Sequence, residues 1–189
     1  YLRLSMLARF PEVFTMEVSV VDEEELWKEL RRAVAGAAVM FVDTRIAEGS
    51  HLKEDLLEKL RNMTELVEFI SGRMPQIMSE YRRRLEEKVR ELLADAAVDE
   101  SRLLTEVTIF ADKVCVDEEI VRLRSHIDTT AKALEEGGSI GRKLDFIAQE
   151  MNREANTILS KANDLEISNH AIELKTGIEK IREQIQNIE

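Results

Sequence analysis

Cysteine, proline and glycine are scarce in this chain of 189 residues, and each shortage removes a class of protein. A single cysteine, Cys115, cannot close an internal disulfide, which excludes a disulfide-stapled secreted scaffold. Two prolines and seven glycines are too few for a collagen, a disordered linker or a turn-rich β-sandwich. No apolar run reaches the roughly 20 residues that cross a bilayer, and the first residues lack a signal-peptide layout. A cytoplasmic location without a membrane partner is the expectation. Basic residues are also in deficit: 27 Lys and Arg against 38 Asp and Glu leave a net charge of −11. A uniformly acidic surface repels phosphate, so any nucleic-acid site has to be a local basic patch or be bridged by metal ions.

What remains is 44% hydrophobic and 34% charged residues, a mix that suits long amphipathic helices. At this length the chain can bury a real core, roughly 70% of the surface its unfolded form exposes. The fold expected is mainly α: long helices in antiparallel hairpins or a bundle. One N-terminal β-strand over about 13–20 is expected, because Phe14, Met16, Val18 and Val20 alternate with Thr15, Glu17 and Ser19. Nothing later in the sequence offers that strand a partner for its ladder. Together with the opening at Tyr1, this leads to the expectation that residues 1–21 are the end of a truncated domain, which the family resemblance given below implies to be α/β.

Helical patterns follow one another from Asp22, which is placed to cap Glu23–Glu25. A first inward stripe is Trp27, Leu30, Val34, Ala37 and Phe41, with a break at Glu48–Ser50. Leu52, Leu56, Leu60, Met63, Val67 and Ile70 form a second. Gly72 reads as its end and Pro75 as the start of a helix carrying Met78, Tyr81, Leu85, Val89 and Leu92, which makes residues 22–98 a helical hairpin region. Residues 99–189 form a C-terminal helical domain. It opens with a short helix over 100–112 and continues with Val116, Ile120, Leu123, Ile127 and Leu134 on the next. Gly137-Gly138-Ser139 is the clearest linker. Ile167, Ala171, Leu174, Ile178, Ile181, Ile185 and Ile188 then make an a/d seam for a partner helix in this chain or another.

Two segments could carry chemistry. On the helix after the linker, Leu144, Ile147, Met151, Ala155, Ile158, Ala162 and Leu165 form the buried stripe. Asp145, Gln149, Asn152, Asn156, Ser160 and Asn163 line a neighbouring face. Asparagine is a poor interior helix residue, because its amide competes for backbone hydrogen bonds, so this face reads as one kept for directional bonding. With Arg142, Lys143, Arg153 and Lys161 it could hold phosphates and bases; an amide network between helices is the other reading. Upstream, Asp117, Glu118 and Glu119 occupy a first helical turn, and Glu119, Arg122 and His126 share a face. Carboxylates beside a histidine can hold a divalent metal, and a histidine near arginine can move protons in phosphodiester cleavage. An acidic first turn followed by a Glu–Arg pair and a partly buried histidine is the other reading, and spacing alone favours it. HExxH, CxxC and P-loop patterns are absent. His51 and His170 read as surface residues.

The stretch GRKLDFIAQEMNREANTILSKANDLEISNHAIELKTGIEKIREQIQNIE (141–189) closely resembles the C-terminal end of the YicC/YloC family of bacterial proteins. ADKVCVDEEIVRLRSH (111–126) resembles a second signature of that family, and the surroundings of Arg45, Glu48, Gly49, Leu52 and Asp55 a third. The resemblance implies an endoribonuclease acting on single-stranded RNA in small-RNA turnover or stress adaptation. It also implies a divalent-metal requirement (magnesium or manganese) and a homo-oligomer, expected as a hexamer. On the matching positions, His126 and Glu119 become catalytic candidates. Arg122, Arg142, Lys143, Asn152, Arg153, Asn156 and Lys161 become RNA contacts, and Asp117, Glu118, Glu119, Glu150 and Glu154 metal ligands. The chain departs from the family pattern at Cys115, where an acidic residue is expected, at Leu159, where glycine is expected, and at Thr105, in place of glutamine. A non-catalytic helical assembly or adaptor module is the competing reading, favoured by the acidic charge and the lack of a standard catalytic motif.

Overall fold

The computed structural model describes residues 3–11, 13, 22–93 and 100–188. Among these residues six helices run in order: α1 Leu4–Leu7, α2 Glu23–Leu93, α3 Glu100–Val114, α4 Asp117–Glu136, α5 Gly141–Lys161 and α6 Leu165–Ile185. No strand is found among the described residues, and the strand expected over about 13–20 lies outside them except for Val13. The boundaries expected at 21/22 and 98/99 likewise fall at segments outside the described residues. Among the described residues no helix is long and apolar enough to cross a membrane.

The chain divides into two compact units, 1–47 and 48–189. In the first, Asp22 caps α2 as its sequence suggests, its Oδ1 accepting from the backbone N–H groups of Glu24 (3.0 Å) and Glu25 (3.4 Å). The inward stripe expected there is a different matter. Trp27, Leu30, Val34 and Phe41 are all more than half exposed, so they bury nothing among the described residues.

The second unit holds the core. Leu56, Leu60, Met63, Val67, Ile70 and Ile77 of α2 join one cluster with the buried faces of α4, α5 and α6. The seam of α6 closes inside its own chain: Ile167, Ala171, Leu174, Ile178, Ile181 and Ile185 are at most 2% exposed, and α6 packs on α5, which packs on α4. Along α5, Leu144, Ile147, Met151, Ala155 and Ile158 are buried, whereas Leu165, expected on the same stripe, is exposed. Tyr81 of α2 stacks on Phe110 of α3, ring centroids 3.7 Å apart.

The hairpin expected around Gly72 and Pro75 is absent, because α2 runs through Gly49, Gly72 and Pro75 without a break. Proline there removes one backbone donor and crowds the preceding turn, costs that tertiary packing overrides. The register explains how. Val67, Ile70, Met74 and Ile77 keep one face on the core across Pro75, which a reversal of chain direction would expose. Arg73 adds an anchor, reaching Glu80 (2.7 Å) on its own helix and Asp164 (2.9 Å) and Glu166 (3.0 Å) at the start of α6. Asp164 meanwhile caps α6, its other oxygen accepting from the Glu166 and Ile167 backbone N–H groups. His170, read as a surface residue, is half-buried and stacks on Phe69 with ring centroids 3.9 Å apart.

Between α4 and α5 the linker turns at Gly137 (φ 71°) and Gly138 (φ 85°), conformations that glycine adopts without strain. Gly141, the first residue of α5, serves close approach instead: a Cβ there would lie 2.6 Å from the Ile188 carbonyl oxygen. At Gly72, by contrast, a Cβ would meet nothing within 4 Å. Gly72→Ala is therefore expected to raise unfolding stability by about 0.5–1 kcal/mol and Gly141→Ala to lower it, read from urea denaturation midpoints. Equal effects of the two substitutions would contradict this account of the glycines.

Candidate functional site on α4 and α5

The two segments singled out for chemistry place their charged residues on α4 and α5, which pack side by side, and these residues meet across that contact. Glu119 and Glu154 are only 8% and 4% exposed, so each carboxylate needs a cation. Lys161, at the last turn of α5, donates to Glu119 Oε1 at 2.7 Å and to the Cys115 carbonyl at 3.0 Å. Arg122 donates to Glu154 at 3.4 Å and also pairs with Glu118 one turn back. The result is a ladder of two cross-helix ion pairs, Glu119–Lys161 and Arg122–Glu154, over a hydrophobic floor of Ile120, Leu123, Met151 and Ile158. Glu119 Oε2 is buried and has no hydrogen-bond partner.

Burial is the strongest single influence on the Glu119 carboxyl and opposes its ionisation. Lys161, the residue's own backbone amide and Arg122 together outweigh it and hold the pKa below the ordinary glutamate value. On Arg122, the Glu118 charge and then the Glu154 hydrogen bond favour the cation.

The remaining candidates are placed differently. His126, four residues beyond Arg122 on α4, is half-buried, and its ring makes no hydrogen bond or ion pair. Arg142, Lys143, Arg153 and Asn156 are exposed on the outer side of α5, and Asn152 is half-buried there; among the described residues none is engaged in an ion pair or side-chain hydrogen bond. Asp117 is exposed and Glu150 half-buried, both without an ion pair. Among the described residues no three of His, Cys, Asp or Glu come together to hold a metal ion. Glu118, Glu119 and Glu154 face arginine and lysine instead, so this donor set does not fit a metal centre. Of the departures from the family pattern, Cys115 contributes its backbone carbonyl to Lys161, and Leu159 packs half-buried against the core.

Sequence reasoning placed Lys161 among RNA contacts and missed that it neutralises Glu119, 42 residues away; no local pattern encodes that pairing. It also missed Arg73. One usable signal was present: Glu154 falls beside Ala155 and Met151 on the buried arc of α5, where a carboxylate demands a partner.

Helical geometry and this paired-charge face define a helical-bundle protein whose signature residues lie on two adjacent helices. Comparison with known proteins gives the family. The model for the C-terminal part of YicC-like endoribonucleases matches residues 70–189. A relative from Clostridioides difficile (strain 630), named probable endoribonuclease YicC, is 43% identical over 184 residues, covering 97% of this chain and 63% of the relative. A second of the same name, from Haemophilus influenzae, is 34% identical over 188 residues, covering 100% of this chain and 64% of the relative. The chain belongs to the YicC-like family, and it spans under two thirds of the length of these relatives.

The ion pairs lead to a prediction. Because the folded pKa of Glu119 lies below its unfolded value, near 4.3, its ionised form adds stability that is complete above that value. The gain is lost as pH falls through the folded pKa. Between about pH 5 and pH 3, wild-type stability is expected to fall more steeply than that of Glu119→Gln. Lys161→Met, which strands the buried carboxylate, is expected to cost about 1–3 kcal/mol. Much of that loss is expected to be regained in the Glu119→Leu/Lys161→Met double variant, as urea titrations would show.

Proposed function

We propose that this chain is the helical part of a metal-dependent endoribonuclease that cleaves single-stranded RNA as a homo-oligomer, in small-RNA turnover or stress adaptation. The observation that carries the proposal is the outer side of α5. There Arg142, Lys143 and Arg153 stand exposed and unpaired in a protein whose net charge is −11. Cations left without carboxylates on an acidic protein form the local basic patch that a phosphate backbone requires. Asn152 and Asn156 supply neutral donors and acceptors beside them. The relatives' names support the nuclease class.

In this reading His126, whose ring has no partner, gives or takes the proton at the cleaved phosphodiester. Glu119 holds Lys161 in place, and Glu154 does the same for Arg122, so that two cations are fixed at the α4–α5 contact. The divalent-ion requirement, magnesium or manganese, comes from the family resemblance alone. No donor set on this chain is assigned to it.

A non-catalytic helical assembly is the second reading, and the pairing of Glu119 and Glu154 within the fold favours it, since those carboxylates already serve packing. Incubation of labelled single-stranded RNA with this chain and with its full-length relative, in manganese or magnesium and in EDTA, separates the two. Metal-dependent cleavage, reduced at least about 100-fold by His126→Ala with the fold intact, is the expected result. Arg142→Ala and Arg153→Ala are each expected to lower the salt dependence of RNA binding by about one unit of slope. Clean full-length protein that neither binds nor cuts RNA would establish the assembly reading.

A further inference from the structure

We propose that Phe146 is a base-stacking residue, its exposed ring on the outer face of α5 taking one base of a single-stranded RNA between the phosphate contacts of Arg142 and Arg153. The inference rests on the nuclease reading above and adds to it a specific aromatic contact.

Register is the first argument. Arg142, Phe146, Gln149, Arg153 and Asn156 follow one another in steps of four, three, four and three, the spacing of a single stripe along a helix. All five are exposed, and Phe146 is 64% exposed. Arg142 and Arg153 lie 11 residues apart, about 16 Å along the axis, with the ring between them.

The rings of the second unit provide the next argument. Its phenylalanines and tyrosines are Phe69, Tyr81, Phe110 and Phe146. Phe69 stacks on His170 and Tyr81 on Phe110. Phe146 has no ring partner and no share in the hydrophobic core. Leaving a phenylalanine in water forfeits the burial that makes aromatic residues worth placing in a fold.

Charge decides what covers it. The neighbouring helices spend their arginines on carboxylates: Arg122 on Glu118 and Glu154, Arg124 on Glu68, and Arg182 on Asp145. Arg142 and Arg153 hold none, and the stripe itself contains no acidic residue. Of the carboxylates that flank it, Asp145 is held by Arg182, and Glu150 stands on the adjoining column. A protein-docking face would gather several large apolar side chains, whereas Phe146 is the one exposed large hydrophobic residue on α5. A lone ring among arginines and amides matches single-stranded nucleic acid, where cations track the backbone and an aromatic face receives a base of any identity.

The test uses the full chain, a short labelled single-stranded RNA and an abasic strand of the same length. Phe146→Ala is expected to raise the Kd for RNA about tenfold and to leave binding of the abasic strand, the thermal melt and the sedimentation coefficient unchanged. Phe146→Trp is expected to restore affinity, and its added emission, above that of Trp27, to be quenched by RNA and not by the abasic strand. Unchanged RNA affinity in Phe146→Ala, with wild type binding normally, overturns the stacking role and leaves the nuclease reading standing. A change of oligomeric state in Phe146→Ala, with any RNA effect following it, makes the ring a protein contact and overturns the proposal. Wild-type chain and full-length relative that bind no RNA overturn both readings before any variant is made.

Discussion

Burial of the isoleucine seam of α6 against α5 and the second half of α2 is the constraint on which the remaining arrangement depends. Ile178 and Ile181 are fully buried, and Ile167 and Ile185 nearly so; truncating any one of them would cost about 2–5 kcal/mol in a core packed this closely. That contact occupies one side of α5. A second side packs on α4, so only an outer arc is left for solvent. The polar and basic residues of the signature fall on that arc because the seam has taken the apolar ones. Function, on this view, is displayed by subtraction.

A consequence follows for the charges. Glu119 and Glu154 sit where α4 and α5 close on each other, and buried carboxylates without cations would drive the helices apart. Lys161 and Arg122 answer them, each reaching from the opposite helix. Arg73 plays an equivalent part between α2 and α6, reaching Asp164, which in turn caps α6. Each pair fixes the relative rotation of two helices more tightly than apolar contacts do, because a hydrogen-bonded ion pair tolerates little displacement.

Much of this was legible in the sequence, and the reasons are specific. The helices α4, α5 and α6 announce themselves through uninterrupted apolar periodicity and the Gly137–Gly138 turn; their expected stripes are buried, or half-buried at Ala162 and Ile188, apart from Leu165, while the burial of Glu119, Thr130 and Glu154 falls outside those stripes. The break at Gly72 and Pro75 was misread because local propensity argues for it, whereas the core face through Ile70 and Ile77 argues against it only once the partners are known. Trp27, Leu30, Val34 and Phe41 carry a core pattern with nothing among the described residues to cover them. The site was legible as residue types and not as contacts. Spacing puts Glu119, Arg122 and His126 on one face, but the choice of Lys161 and Glu154 as partners is made by helix packing across 42 and 32 residues.

The acidic composition and the basic stripe are compatible because they act over different distances. At physiological ionic strength the Debye length is about 8 Å, so carboxylates spread over the rest of the surface are largely screened from a strand bound on α5 as proposed. Arg142 and Arg153, within contact range, are not. The diffuse negative charge still opposes long polyanions that would have to lie across other faces. It therefore disfavours a rigid duplex more than a flexible strand that can follow one helix. An exposed ring adds to the same preference, since only an unpaired, unstacked base can lie flat on it. On the proposed RNA reading, net charge and stripe together favour single strands, the acidic surface by exclusion and α5 by contact.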